Sequence, residues 1–231
     1  MPDTSPCPAF CCPGMHRMFH TIHHRGGTME HMANQIILRG SLVALPEFSH
    51  ENHGQLFYRF CLEVPRLSGT ADILPVIVPE RILNSIDLSG GDQLTVTGQI
   101  RSHNIYSDLK RKLLIFVFAA SIIAEEGEPI NEVRLEGPVC REPTYRRTPL
   151  GREICDIMMA VPRSFHRADY LPCILWGKSA RDGSVLQISD KIRIHGRLQS
   201  RGYTKVTDEG PQNRTAYEIS ALSMEPILDP L

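Results

Sequence analysis

The sequence predicts an all-β protein that contains two tandem copies of one small barrel. Short apolar segments, several of them alternating with polar residues, follow one another along most of the chain, as β-strands do. Seventeen Gly and seventeen Pro are spread over the 231 residues and favour many short elements over long helices. The second half of the chain also repeats the first, with a period of roughly 100 residues that suits one domain per copy.

The repeat keeps a nearly constant offset. Three pairs of matching segments lie 97 residues apart; they begin at Asn34 and Asn131, at Val64 and Val161, and at Leu74 and Leu171. The offset becomes 98 between Gly98 and Gly196 and 102 between Ala119 and Ala221, as insertions in loops would produce. A duplication is therefore predicted, with a leader over residues 1–31, a first barrel over 32–130 and a second barrel over 131–231.

Each copy contains five predicted strands. In the second copy these are Val133 to Val139, Glu153 to Val161, Leu171 to Trp176, Lys191 to Gln199 and Ala216 to Pro226. Residues 178–188 predict one or two helical turns, and residues 163–169 and 202–213 predict long loops. Five strands with a short helix between the third and fourth are typical of the OB-fold, a partly open Greek-key barrel. The predicted fold is two tandem OB-folds.

The leader differs from the rest of the chain. It contains Cys7, Cys11, Cys12 and five histidines without apolar periodicity. A zinc site is one interpretation, but the paired Cys-x2-Cys and His-x3-His spacing of a finger is missing. The other interpretation is a disordered leader, translated upstream of a start at Met29 or Met32. No metal site and no function are assigned to it.

Charge separates the two copies. Residues 34–130 contain eight Lys and Arg against eleven Asp and Glu, whereas residues 131–231 contain fifteen against thirteen. Twelve of those fifteen basic residues are Arg, which suits phosphate contacts and stacking on bases better than Lys does. The two copies are therefore expected to do different work.

Composition also bears on compartment and chemistry. Four of the seven cysteines fall inside apolar segments, as buried free thiols do in a reducing compartment; these are Cys61, Cys140, Cys155 and Cys173. The longest apolar segment, Leu113 to Ala124, is shorter than the roughly 20 residues that span a bilayer, and no signal peptide is visible. No nucleophile motif or phosphate-binding loop is present. We predict a cytoplasmic, non-membrane protein that is not an enzyme and needs no cofactor.

Aromatic and basic residues alternate through the second copy in a way that suits single-stranded nucleic acid. The aromatic residues from Thr148 to Tyr203 are Phe165, Tyr170, Trp176 and Tyr203, and the basic residues near them in sequence include Arg163, Arg167, Lys178, Arg197 and Arg201. Alternative interpretations stay open here. Trp176 ends an apolar strand and could be a core residue, and Tyr170 could cap the barrel. Each Arg alone could be a solvated surface residue.

The second copy resembles the bacterial single-stranded DNA-binding protein family over about 95 residues. The resemblance is carried by motifs in the family's order; these are Thr148-Pro149-Leu150-Gly151, Ala160-Val161-Pro162-Arg163, Trp176-Gly177-Lys178, Gly196-Arg197-Leu198-Gln199-Ser200-Arg201 and the closing strand from Arg214 to Ala221. It implies an OB-fold that stacks bases on four aromatic residues, Phe165, Tyr170, Trp176 and Tyr203, while the five nearby basic residues contact phosphates. It further implies a nucleoid-associated protein that coats single-stranded DNA in replication, recombination or repair, without sequence preference.

The first copy departs from that family pattern. Its four corresponding positions are Ser68, Ile73, Pro79 and either Ile105 or Tyr106. We expect it to keep the fold and to serve structure or assembly. The family generally works with four OB-folds, which implies a homodimer of this chain. The segment from Met224 to Leu231 lacks the family's acidic tip, so recruitment of repair enzymes through such a tip is not expected.

Two other functions stay open at this point. One is a primosome-like accessory protein that acts as a protein–protein scaffold, with the aromatics meeting a partner. The other is binding of single-stranded RNA on the same surface, because stacking does not read the 2′-hydroxyl group.

Overall fold

The computed structural model describes residues 33–107, 110–207 and 210–227. The first half of this part forms six strands and one helix; these are β1 (Asn34–Leu42), β2 (Glu47–Asn52), β3 (Gln55–Pro65), β4 (Ala71–Pro79), α1 (Glu80–Leu83), β5 (Gln93–Ser107) and β6 (Lys110–Ala124). The second half follows the same order; its elements are β7 (Ile130–Pro138), β8 (Thr144–Arg147), β9 (Glu153–Arg163), β10 (Arg167–Trp176), α2 (Lys178–Gly183), β11 (Lys191–Thr207) and β12 (Gly210–Pro226). The predicted leader lies outside the described residues.

Each half closes into a barrel in the same way. Strands β3, β4, β6, β5 and β1 are hydrogen-bonded in that order, and β1 returns to β3 through the pairing of Leu42 with Leu62. In the second half a bridge between Val139 and Met159 takes the place of that pairing. In both halves one contact is parallel, β4 with β6 and β10 with β12, as a Greek-key connection requires. The prediction of two tandem OB-folds is confirmed.

Alternation along the strands decides which side chains form the barrel core. On β11, Ile192, Ile194 and Leu198 are fully buried, whereas Arg193 and Arg197 are partly exposed on the opposite face. This is the arrangement that the sequence predicts, since successive residues of a strand point to opposite faces. Burying one apolar face in each barrel supplies the main stabilising term of the fold.

Glycine is required where β5 and β11 bend. A bulge occurs at Gly98 in β5 and at Gly196 in β11. A Cβ atom at these positions would collide with the carbonyl oxygen of Phe118 or of Ser220 on the neighbouring strand. Gly98 and Gly196 are also the matching pair at which the spacing between the two copies changes from 97 to 98 residues.

Two segments predicted as loops are parts of strands. Between β9 and β10 only Ser164, Phe165 and His166 form the turn, and the residues on either side pair as a hairpin. Residues 202–207 and 210–213 extend β11 and β12 beyond the barrel. The short strands β2 and β8 were not predicted; the four side chains of β8 are all exposed, so apolar alternation could not reveal that strand.

The two barrels are joined into one continuous sheet. Strand β1 pairs antiparallel with β7, and Ile36 lies opposite Val133. These two residues are 97 positions apart, so they occupy the same place in the two copies. The pairing therefore has pseudo-two-fold symmetry, with its axis between Ile36 and Val133.

The expectation of buried free thiols holds at two of the four cysteines, Cys155 and Cys173. Cys140, Cys155 and Cys173 are free thiols, and the last two are buried. Burial raises the pKa of the Cys173 thiol, which disfavours its thiolate form. Cys61 is also buried, but it is disulfide-bonded, so the expectation of a free thiol is wrong there.

Within residues 33–107, 110–207 and 210–227, neither helix has the length or the hydropathy needed to cross a membrane.

Candidate nucleic-acid interface

Strand β10 carries two exposed aromatic side chains on the outer face of the second barrel. Asp169, Leu171, Cys173 and Leu175 of this strand point inward and are buried. Tyr170 and Trp176 belong to the opposite face and are 43% and 39% exposed, so neither is a core residue. Six residues at about 3.3 Å each separate the two rings by about 20 Å along the strand.

A hydrogen bond across the sheet orients Trp176. Its indole Nε1 donates to Oγ of Ser220 on β12, at 3.0 Å. Ser220 lies beside Ile174 of β10 on one side and opposite Arg197 of β11 on the other. The indole is therefore attached by its edge to the outer face, in the row of residues that contains Arg197.

Strand β11 continues this outer face towards its free end. Beyond Leu198 and Ile219, strands β11 and β12 no longer pair with the rest of the barrel and form a two-stranded projection. We call residues 199–207 and 210–218 the second arm. Arg201 and Tyr203 lie on one face of this arm by strand alternation, and Tyr203 is 40% exposed.

The remaining predicted residues lie at the two ends of β10. Phe165 is in the turn before β10, with φ of +62° and 68% of its surface exposed. Arg167 begins β10 and Lys178 begins α2 just after Trp176, and both side chains are exposed. Tyr170, Trp176, Arg197 and Arg201 therefore lie on one outer face of the second barrel, with Tyr203 farther along the arm.

Arg163 is the predicted residue that the structure places elsewhere. Its Nη1 lies 3.4 Å from Oδ1 of Asp169, a carboxylate with no exposed surface. Burial also lowers the pKa of the Arg163 guanidinium. Its counterpart in the first copy, Arg66, forms the equivalent pair with buried Asp72. Arg163 thus belongs to a contact between the barrels and not to the face that carries Trp176.

Acidic residues balance part of the positive charge on this face. Nε of Arg201 lies 3.5 Å from Glu218, and Nε of Arg146 lies 2.6 Å from Asp156. The hydrogen bond from Arg146 to Asp156 raises the pKa of that guanidinium. Both Arg side chains are more than half exposed, so solvent screens the pairs and a phosphate group can compete for the Arg side chains.

Sequence reasoning missed two Arg residues near the aromatic positions. Arg146 belongs to β8, which was not predicted as a strand, and Arg214 lies directly opposite Tyr203 on the second arm. The sequence feature that could have identified Arg146 is the basic pair Arg146-Arg147, which directly precedes the motif beginning at Thr148.

The corresponding face of the first barrel has a different character. Ile105 pairs with Lys112 as Tyr203 pairs with Arg214, so Ile105 and not Tyr106 is the counterpart of Tyr203. The four positions are thus Ser68, Ile73, Pro79 and Ile105, and none is aromatic. Phe116 and Ile77, at the places of Glu218 and Ile174, are 3% and 1% exposed. The first barrel thus has no aromatic ring at the four positions, and it has a buried ring, Phe116, at the place of the charged Glu218.

The second barrel is similar in sequence to proteins that bind single-stranded DNA. The sequence model of the Single-strand binding protein family matches residues 130–227. Single-stranded DNA-binding protein B of Bacillus subtilis is 34% identical over 80 residues, which are 32% of this chain and 71% of that protein. The single-stranded DNA-binding protein of Bacillus cereus is 30% identical over 101 residues, which are 41% of this chain and 56% of that protein. The chain thus spans only about half the length of some curated relatives.

Solved structures match the whole two-barrel arrangement. The wild-type single-stranded DNA binding protein from Thermus aquaticus superposes with a TM-score of 0.71 over 86% of this chain and 94% of that chain, at 24% identity. A deletion mutant of the same protein gives a TM-score of 0.70 over 86% and 96%. Because each barrel makes up less than half of this chain, such coverage requires both barrels.

Proposed function

We propose that this chain, which belongs to the single-strand binding protein family, binds single-stranded DNA through its second barrel without sequence preference. The observation that carries the proposal is the exposure of all four predicted stacking residues; these are Phe165, Tyr170, Trp176 and Tyr203. Large aromatic side chains in a folded domain are usually well buried. Four exposed rings along one hairpin and one arm are unusual for a surface without a ligand.

The binding chemistry follows from these groups. Every base has a π-face, so an exposed ring can stack on any base, which contributes about 1–3 kcal/mol per base in proteins of this kind. In this proposal the phosphates of the bound DNA are contacted by the exposed or partly exposed basic residues near the rings, Arg197, Arg201, Arg167 and Lys178. Neutralised phosphates release counterions, so affinity is expected to fall as the salt concentration rises. Neither interaction reads the identity of the base.

The first barrel has a structural role in this proposal. Its counterpart face lacks aromatic residues at the stacking positions, while its strand β1 and its Asp72 contact the second barrel. We further propose that two chains assemble to give four OB-folds. Light scattering at micromolar concentration should then give twice the chain mass of 26.0 kDa, and a mass of one chain would exclude the dimer.

The proposed biological setting is DNA replication, recombination or repair, where exposed single strands occur. Coating without base readout suits any of the three. RNA is the competing ligand, because stacking is indifferent to the 2′-hydroxyl group. Oligomers of dT and rU of equal length separate the two, and DNA binding predicts the tighter complex with dT.

One titration tests the proposal directly, because Trp176 is the single tryptophan of the chain. Fluorescence of Trp176 is followed as dT oligomer is added at low and at high salt. We expect strong quenching at low salt, from stacking on the exposed indole, and a weaker complex at high salt. A folded protein whose fluorescence does not change at low salt would contradict the proposal and favour a protein partner for this face.

A further inference from the structure

Hydrogen bonds at Ser200 join the second arm to the first barrel. The backbone N–H of Ser200 donates to Oδ1 of Asp72 at 2.6 Å, and its hydroxyl lies 3.1 Å from the same oxygen. Its carbonyl oxygen accepts from Nη2 of Arg66 at 2.8 Å. Asp72 is 1% exposed and its other oxygen accepts from Nε of Arg66 at 2.8 Å. Every hydrogen-bonding group of Ser200 on this side is therefore satisfied by the first barrel.

These bonds add to one apolar anchor at the base of the arm, Tyr217, which lies opposite Ser200 and is buried in the core. An isolated two-stranded hairpin is marginally stable in water, and residues beyond Leu198 and Ile219 pair only with each other. Hydrogen bonds to an ionised carboxylate are roughly twice as strong as neutral ones. Ser200 stands directly before Arg201 and three residues before Tyr203. The direction of the arm at Ser200 therefore sets where those two side chains point.

We infer that Asp72, in the barrel without stacking residues, is a positioning residue for single-stranded DNA binding by the second barrel. It fixes the base of the second arm and so aligns Tyr203 with the outer face that carries Trp176. This inference rests on the proposed function. It gives the first barrel a role in binding that does not require the first barrel to touch DNA.

The pseudo-two-fold symmetry supplies a matched control. Asp169 accepts the backbone N–H of Ser102 at 2.7 Å, as Asp72 accepts that of Ser200. Ser102 lies at the base of the corresponding arm of the first barrel, which carries Ile105 where the second arm carries Tyr203. Asp72→Asn and Asp169→Asn therefore each remove the carboxylate charge that accepts a serine N–H, and Asp169→Asn also weakens a pair with Arg101. Only Asp72→Asn loosens the arm that carries the aromatic ring.

The test is a double-mutant cycle with Tyr203→Ala in the full chain. The Kd for a dT oligomer is measured by Trp176 fluorescence for the wild type, Asp72→Asn and Asp169→Asn, each with and without Tyr203→Ala. Asp72→Asn is expected to raise Kd about five- to tenfold, within the range that loss of a charge-assisted hydrogen bond allows. Tyr203→Ala should raise Kd about fivefold or more in the wild type and in Asp169→Asn. In Asp72→Asn it should have less than half of that effect.

Asp169 is adjacent to Tyr170, so Asp169→Asn can also weaken DNA binding. For this reason the deciding measurement is whether the effect of Tyr203→Ala on Kd depends on the Asp72 or Asp169 substitution, and not the change of Kd in either single variant. Additive effects of Asp72→Asn and Tyr203→Ala on the free energy of DNA binding would overturn the inference, as would equal coupling of Asp169→Asn with Tyr203→Ala.

Thermal melting verifies that each variant folds. If Asp72→Asn does not fold, Arg66→Gln, which removes the bond to the Ser200 carbonyl, is expected to show the same coupling, and additivity there would overturn the inference. If the Trp176 fluorescence of the wild type does not change when dT oligomer is added, the proposed function itself is refuted.

Discussion

Replacing Trp176 and Tyr203 together by alanine is expected to raise the Kd for a dT oligomer by at least about 30-fold. Each stacked base contributes about 1–3 kcal/mol, and every 1.4 kcal/mol changes Kd tenfold. Both rings are about 40% exposed and lie on the surface that we assign to DNA. Since Trp176 is removed in this variant, binding is measured by anisotropy of a labelled oligomer.

Two controls separate stacking from other effects of the substitutions. The pair Trp176→Phe and Tyr203→Phe keeps a π-face at each position and should retain most of the affinity, although the bond from Trp176 to Ser220 is lost. Phe48→Ala removes a ring of the first barrel that is 52% exposed and 6.2 Å from the ring of Tyr58. It should leave Kd unchanged. An equal loss of affinity in Phe48→Ala would contradict the assignment of binding to the second barrel.

The sequence predicts the barrels well because one physical signal is present in both copies. Burial of one face makes apolar residues alternate, as at Ile192 and Ile194, and a duplicated chain presents the signal twice. The signal disappears where both faces of a strand meet solvent. Tyr203 and Val206 are exposed on the second arm, 40% and 80%, and none of residues 202–206 and 210–213 is buried, so this part of the arm was predicted as a loop. The exposed strand β8 was missed for the same reason.

The candidate site is predictable only where it depends on contacts that are local in sequence. Tyr170 and Trp176 face outward because buried residues alternate with them on one strand, and a single sequence contains that information. The place of Arg163 depends on Asp169 and on Arg101, which comes from the other barrel. Likewise Asp72 and Ser200 are 128 residues apart along the chain. Contacts between residues so far apart in the chain produce no recognisable spacing or composition in a single sequence, so they could not be predicted from it.

Asp169→Ala is expected to reduce the free energy of unfolding by about 3–5 kcal/mol, the usual cost of removing one partner from a buried ion pair. Asp169 has no exposed surface and faces two guanidinium groups, with Nη1 of Arg101 at 3.1 Å and Nη1 of Arg163 at 3.4 Å. It also accepts the N–H of Ser102. Alanine would leave two partly buried guanidinium groups and one backbone N–H without this acceptor. Urea denaturation followed by circular dichroism measures the change.

Asp156→Ala is the matched control for this substitution. Asp156 also pairs with an Arg, since its Oδ2 lies 2.6 Å from Nε of Arg146, but its side chain is 38% exposed. Water replaces the lost partner at such a site, so the expected change is below about 1 kcal/mol. The comparison tests whether the contact between the barrels, and not ion pairing in general, stabilises the two-barrel unit. Similar losses in both variants would show that the buried carboxylate contributes no more than a surface pair.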